Sequence, residues 1–249
     1  MTGDIIVAHA SPNYDVRAGG RPVDMLLLHY TGMTTGAEAL ARLCDENARV
    51  SAHYLIEEDG RIYGLVPEAR RAWHAGLSSW AGEADINSCS IGIELVNPGH
   101  AYPGYMGGYR PFPKVQMAAL IELAQGIVKR HAIPQARVLG HSDVAPARKT
   151  DPGELFDWQA LAIAGVGVWP QARTPSKPAA TLCEGDSGPE VVSLKKALAS
   201  YGYGIGEGAQ YDTETTLVVT AFQRHFRPRL VDGIADSETQ AVLQVLLGR

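Results

Sequence analysis

Eight histidines punctuate this 249-residue chain, and two of them stand where packing alone does not explain an imidazole. His29 lies near the end of Asp24–Tyr30 (DMLLLHY), an otherwise nearly continuous apolar run. An imidazole at the mouth of a buried strand is costly unless it is paired or coordinated. His141 opens the segment Gly140–Gly153 (GHSDVAPARKTDPG), which carries Asp143, Arg148, Lys149 and Asp151 and little apolar content. Two prolines and two glycines stiffen it, and stiff polar loops at strand ends are where sites are built. Histidine and aspartate both suit zinc, and two histidines with one carboxylate leave a fourth coordination position open. Glu94 is the third anomaly. It sits among Ile91, Ile93 and Leu95 but points the other way. If that face is open to solvent, Glu94 is an ordinary exposed residue. If it lines a cleft, apolar surroundings raise the carboxyl pKa and suit it to proton transfer. The spacing of these residues is not diagnostic. His141-Ser142-Asp143 also suggests a serine hydrolase, but no GxSxG nucleophile elbow is present.

The elements that must position these groups alternate between strand and helix patterns. Asp24–Tyr30 reads as a buried strand. Thr34 or Thr35 can cap a helix reaching to about Arg49. His53–Glu57 and Arg61–Val66 flank Glu58-Asp59-Gly60, a hairpin signal. Cys89–Val96 (CSIGIELV) alternates as a strand, with Gly92, Glu94 and Val96 opposite its isoleucines. Pro113 precedes a helix to about His131 whose stripe is Leu120, Leu123, Ala124 and Ile127. Val138-Leu139 is a short strand leading into Gly140-His141. Strands interleaved with helices imply an α/β fold, helices packed on a mixed β-sheet.

A composition break falls at Trp169–Thr181 (WPQARTPSKPAAT), with three prolines and no periodicity. It is read as a linker between a domain at 1–168 and a small helical domain at 182–249. In the tail, Val191, Leu194 and Leu198 have helical spacing, and Leu217–Phe226 and Ser237–Leu247 are further helices. Asp212 and Asp232-Gly233 mark the turns between them. The net charge of −5 argues against nucleic acid as the main partner, because phosphate binding needs a basic face. No apolar stretch is long enough to span a membrane. Cys44, Cys89 and Cys183 are widely spaced without CxxC, so they form neither a disulfide framework nor a cysteine metal site. Met1–Val7 has no basic region, apolar core or lipidation cysteine, so the expected compartment is the cytoplasm.

At LLLHYT, SAHYLIEEDGRIYGLVPE, AWHAG, NSCSIGIELVN and GHSDVAPARKTDPG, the first domain resembles the type-2 N-acetylmuramoyl-L-alanine amidase family, whose fold is shared with peptidoglycan recognition proteins. The resemblance runs from about Ile6 to Trp169, with the segments in the family's order. It implies one zinc ion per chain held by His29, His141 and Asp151, a catalytic Glu94 and a catalytic Lys149. On this reading Glu94 moves the proton to the leaving alanine nitrogen, and Lys149 stabilises the oxyanion. Tyr54, Trp73, His74 and Arg148 are expected to line the substrate groove. The tail, through GDSGPEVVSLKKAL, YGY, YDTETT, AFQ and VDG, is similar to the small three-helix type-1 peptidoglycan-binding domain.

The implied activity is hydrolysis of the amide between the lactyl group of muramic acid and L-alanine. Muropeptides, including 1,6-anhydro forms from wall recycling, or whole peptidoglycan are the implied partners, with a monomer favoured. Two other functions fit the same fold. A non-catalytic recognition module would lack part of the ligand set, which is complete here. A zinc peptidase cutting within the stem peptide is disfavoured by the resemblance alone.

Overall fold

The structure, a computed structural model, describes residues 5–171 and 179–248. The first four residues of the N-terminal reading, and residues 172–178 of the expected linker, lie outside the described residues. The elements run β1 (Tyr14–Val16), β2 (Met25–Tyr30), α1 (Gly36–Cys44), β3 (Tyr54–Ile56), β4 (Ile62–Gly64), β5 (Arg70–Ala72), α2 (Ile86–Cys89), β6 (Ser90–Leu95), α3 (Lys114–His131), β7 (Val138–Gly140), α4 (His141–Val144), α5 (Trp158–Ile163), α6 (Pro189–Tyr201), α7 (Thr213–Phe226) and α8 (Ser237–Leu246).

Five strands form the central sheet in the order β4-β3-β6-β2-β7. The four from β3 to β7 are parallel, and β4 closes one edge antiparallel. The sheet is therefore mixed, as the alternation of patterns implies. β2 lies between two parallel neighbours and is buried along nearly all its length, which is why it reads as an unbroken apolar run. Burial of both faces leaves no solvated side to select polar residues.

The two faces do different work. Leu26, Leu28, Ile91, Ile93 and Leu95 pack with Leu120, Leu123, Ala124 and Ile127 of α3. That helix follows Pro113 and ends where Ala132 turns left-handed at φ 52°, with Lys129, Arg130 and His131 set favourably against the helix dipole. On the other face Met25, Leu27, Leu139 and Val144 share one apolar core with Val191, Leu194, Val218, Phe222 and Leu243 of the tail. The tail helices are thus built onto the sheet.

Three local readings change. The α1 helix stops at Cys44, short of Arg49, and is begun by Thr35 and Glu38, whose side chains bond each other's backbone N–H in a capping box. Asp45 then accepts from Asn47 N and starts a separate 3-10 turn. Cys89 ends a single helical turn before the strand. His141 likewise opens one helical turn, α4, before the loop; four residues are too few to show a helical period.

Candidate metal centre

Parallel register puts His29 beside Glu94 on adjacent strands, and Glu94 beside Leu55. Paired residues share a face, so His29 and Glu94 both look away from α3. β7 pairs with β2 on its other side and ends at Gly140, which delivers His141 next to His29. Asp151 returns from the far end of the loop, where its carbonyl accepts from Ser142 N at 2.9 Å. The chain therefore draws one ligand from a strand, one from a helical turn and one from a loop.

Three atoms converge. His29 Nδ1 lies 2.9 Å from His141 Nδ1 and 3.0 Å from Asp151 Oδ2, and His141 Nδ1 lies 3.0 Å from the same oxygen. All three residues are buried. The hydrogen bonds behind them assign the protons. Ser90 Oγ donates to Ile86 O at 2.6 Å, which uses its only proton. His74 Nε2, at 3.2 Å, must then donate to Ser90 Oγ. That leaves His74 Nδ1 an acceptor for the N–H of His29 Nε2 at 3.1 Å. His29 Nδ1 is consequently a bare lone pair. On the second ring, His141 Nε2 lies 3.0 Å from Ala75 O and donates to it, which bares His141 Nδ1 in the neutral ring.

Two lone pairs and a carboxylate oxygen about 3 Å apart repel one another unless a cation lies between them. The donor set of two imidazoles and a carboxylate is one that zinc accepts. Electrostatics agree in direction. Burial, then the neighbouring His141, push the His29 imidazole down to about 4, so it is neutral near pH 7. Burial opposes ionisation of Asp151, but the two histidines outweigh it and hold the carboxyl below its ordinary range.

Glu94 has the opposite character. Its Oε2 is buried with no hydrogen-bond partner among the described residues. Removal from water, reinforced by the Asp151 charge and opposed by Lys149, pushes its pKa well above the usual carboxylate value. Both Glu94 and Lys149 line a cleft of about 680 Å³ together with the three candidate ligands. The arrangement sets a cluster able to hold a metal ion beside a carboxyl whose raised pKa suits it to proton exchange.

The remaining expected groove residues divide. Trp73 and Arg148 line the cleft. Trp73 donates from Nε1 to Asp15, and Arg148 ties the cleft wall by donating to Ala75 O and Leu77 O at 2.7 and 2.8 Å. His74 also lines the cleft, but His29 and Ser90 engage both its nitrogens, so it supports the ligand rather than offering a polar atom to substrate. Gly92 makes room for it, since a Cβ there would lie 2.5 Å from the His74 ring. Tyr54 is a correction. It pairs in register with Ile93, so it faces α3, and its hydroxyl donates to Glu68 at 2.7 Å. Tyr30, Arg42, His100 and Tyr102 line the cleft without having been expected. Tyr30 adjoins His29 at the strand end, which was a usable signal, whereas the loop carrying His100 and Tyr102 has no periodicity to place it.

Comparison with known proteins settles the class. The profile of the N-acetylmuramoyl-L-alanine amidase family matches residues 19–154. AmiD of Escherichia coli is 41% identical over 241 residues, covering 90% of this chain and 82% of that one. The chain belongs to the N-acetylmuramoyl-L-alanine amidase family. It is an amidase, with a second match to the peptidoglycan binding domain family over residues 187–243. The solved complex of E. coli AmiD with anhydro-N-acetylmuramic acid-L-Ala-D-gamma-Glu-L-Lys superposes with a TM-score of 0.79 at 40% identity, covering 93% of this chain and 91% of that one. AmpDh3 of Pseudomonas aeruginosa, solved with an anhydromuramic pentapeptide, gives 0.79 at 33% identity, covering 93% of each chain. AmpD of Haemophilus influenzae, named a 1,6-anhydro-N-acetylmuramyl-L-alanine amidase, is 34% identical over 167 residues, which are 60% of this amidase and 86% of that one.

Proposed function

We propose that this amidase releases the stem peptide from muropeptides carrying 1,6-anhydro-muramic acid, with zinc held by His29 Nδ1, His141 Nδ1 and Asp151. The observation that carries the reading is the convergence of three acceptor atoms with no proton to share between them. The anhydro-muramyl preference draws on the ligands named for the AmiD and AmpDh3 complexes. A bound zinc supplies Lewis acidity at the scissile carbonyl.

The chain's own residues do the rest. Glu94 takes a proton from the attacking water and returns it to the alanine nitrogen as that bond breaks. Its raised pKa suits both halves of the transfer. Lys149, on the cleft wall, sets its ammonium against the oxyanion, an interaction typically worth ~3 kcal/mol. Tyr30 and Trp73 give the cleft aromatic walls for sugar and peptide. Work on recycled fragments goes with a cytoplasmic location; recovery of the native protein from the periplasm would overturn that role.

The test separates metal from proton transfer. Glu94→Ala keeps stoichiometric zinc by metal analysis and loses turnover of anhydro-muropeptide, while His29→Ala loses both. Mass spectrometry of the wild-type digest shows intact stem peptide and free anhydro-sugar. Near wild-type turnover by Glu94→Ala would refute the proton-transfer assignment, and products cut within the stem would refute the choice of bond.

A further inference from the structure

The tail's longest described helix, α7, reaches the segments that carry His141 and Asp151 directly. His225, in the final turn of α7, approaches Asp143 with Nδ1 at 2.7 Å from Oδ2. Tyr203, in the segment after α6, donates its hydroxyl to Asp143 Oδ1 at 2.6 Å. Asp143 lies two residues after His141, is fully buried, and also accepts from Gly140 N at 2.8 Å. The neighbouring Arg224 pairs with Glu154 at 3.7 Å, three residues after Asp151. The His225 ring stacks on Trp158 with centroids 3.7 Å apart. Trp158 in turn lies 3.2 Å from where a Cβ on Gly140 would stand, at the root of α4. One helical turn of the tail therefore grips the segment bearing His141 and the segment bearing Asp151.

The remaining ligand needs no such grip. His29 sits inside β2, between two parallel strands, with His74 behind it. His141 and Asp151, on α4 and the loop after it, have beside them one short strand, the Ala75 carbonyl and the tail. Without Tyr203 and His225 the fully buried Asp143 would keep Gly140 N as its one remaining hydrogen-bond partner among those described, too few for a charged carboxylate out of water, so its place depends on the docked tail.

We propose that the C-terminal domain serves the amidase as a clamp on its metal centre, with His225, Tyr203 and Arg224 as positioning residues acting through Asp143 and Glu154. This goes beyond a substrate-binding role for the domain, and it rests on the reading of His29, His141 and Asp151 as metal ligands. The shared apolar core supplies the rigid attachment. The polar contacts convert attachment into ligand geometry, as partners behind metal ligands do.

The test uses the full chain. His225→Phe with Tyr203→Phe keeps the ring stack and the packing but removes both donors to Asp143. Zinc affinity, measured by chelator competition, falls about 10- to 100-fold, and the visible spectrum of the cobalt-substituted protein shifts. Turnover falls at saturating substrate while KM for a soluble muropeptide stays within about twofold, because the cleft walls are untouched. His225→Asn, which retains an N–H toward Asp143, recovers most of the affinity lost by His225→Phe. If the double variant does not fold, Arg224→Gln, at a partly exposed position, gives the same reading with a smaller loss, about threefold. Wild-type zinc affinity and an unchanged cobalt spectrum in whichever variant folds overturn the clamp. A wild-type chain that binds no zinc overturns the metal reading instead.

Discussion

Two carboxylates, Glu68 and Glu94, lie on opposite sides of the same sheet and have opposite fates. Glu68 sits by the C-terminal end of α3, where Tyr54 donates to Oε1 at 2.7 Å, Arg130 donates at 2.6 Å and His131 lies 2.6 Å from Oε2. Burial alone would raise its pKa, but the bonds from Arg130, His131 and Tyr54 outweigh burial and bring it down to about 2. Glu94 lies beside His29 with one oxygen buried and unpartnered, and is pushed the other way. Burial pushes both carboxyls in the same direction, so its sign does not separate them. The number of donors does. A carboxylate with every lone pair occupied is part of the frame, and one left short of partners stores the capacity to take up a proton.

Exchanging each for its neutral amide sharpens this contrast most. Glu94→Gln lowers turnover by about 10²- to 10⁴-fold, the usual range for a lost general acid–base, while the melting temperature holds or rises. Glu68→Gln does the reverse: kcat/KM on muropeptide stays within about twofold and stability drops. The depressed pKa corresponds to at most about 3 kcal/mol, and solvent screening of the half-buried cluster brings the expected loss to about 1–2 kcal/mol, read as a lower denaturation midpoint. If Glu68→Gln instead costs turnover at unchanged stability, the division of the sheet into a framing face and a reacting face fails.

The pH dependence of the metal-free protein distinguishes them again, with opposite signs. Glu68 has a folded pKa below its unfolded value of about 4.3. Its contribution is complete above that value and is lost as pH falls toward about 2. Glu94 has a folded pKa above its unfolded value, so its contribution is complete below about 4.3 and is lost as pH rises through the raised value. Subtracting the stability of Glu94→Gln from wild type should therefore give a difference that turns against wild type as pH increases from 4 to 8. The same subtraction for Glu68→Gln should favour wild type throughout that range and collapse only below it. Chelator-treated protein unfolded by denaturant at each pH provides the measurement.

The site was more legible in the sequence than the frame that holds it. His29 and Glu94 stood out because each is a polar residue inside an apolar strand, and strand parity assigned Glu94 to the face away from Ile91 and Ile93. His141 stood out because a stiffened segment of little apolar content follows a strand; that segment offered both Asp143 and Asp151, and the family resemblance chose Asp151. The paired strands then joined these points across long sequence separations, which no spacing reveals. Tyr54 was misplaced because the resemblance assigned it to the groove, while strand parity sets it level with Ile93 on the face opposite Glu94, and a one-residue step in a strand changes face. The docking of the tail was hidden for a different reason. Val218, Phe222 and Phe226 announce that α7 has an apolar stripe, but not that the stripe meets Met25, Leu27 and Val144 of the sheet. Asp143 and His225 are 82 positions apart, and neither is anomalous in its own segment.

The smallest expected effect tests the placement of Tyr54. Its ring packs in the α3-side core and its hydroxyl gives Glu68 one of four bonds, the others coming from Arg130 and His131. Tyr54→Phe keeps the ring volume and removes only that donor, while Arg130 and His131 remain. A single buried hydrogen bond to a charged acceptor is worth about 1.5–3 kcal/mol at most, and less when other donors stay in place, so the expected loss is about 1 kcal/mol. The cleft on the other face should register nothing: kcat and KM for muropeptide remain at wild-type values. A raised KM with unchanged stability would return Tyr54 to the substrate groove. It would also require the sheet to present β3 in the opposite register, with Leu55 no longer level with Glu94.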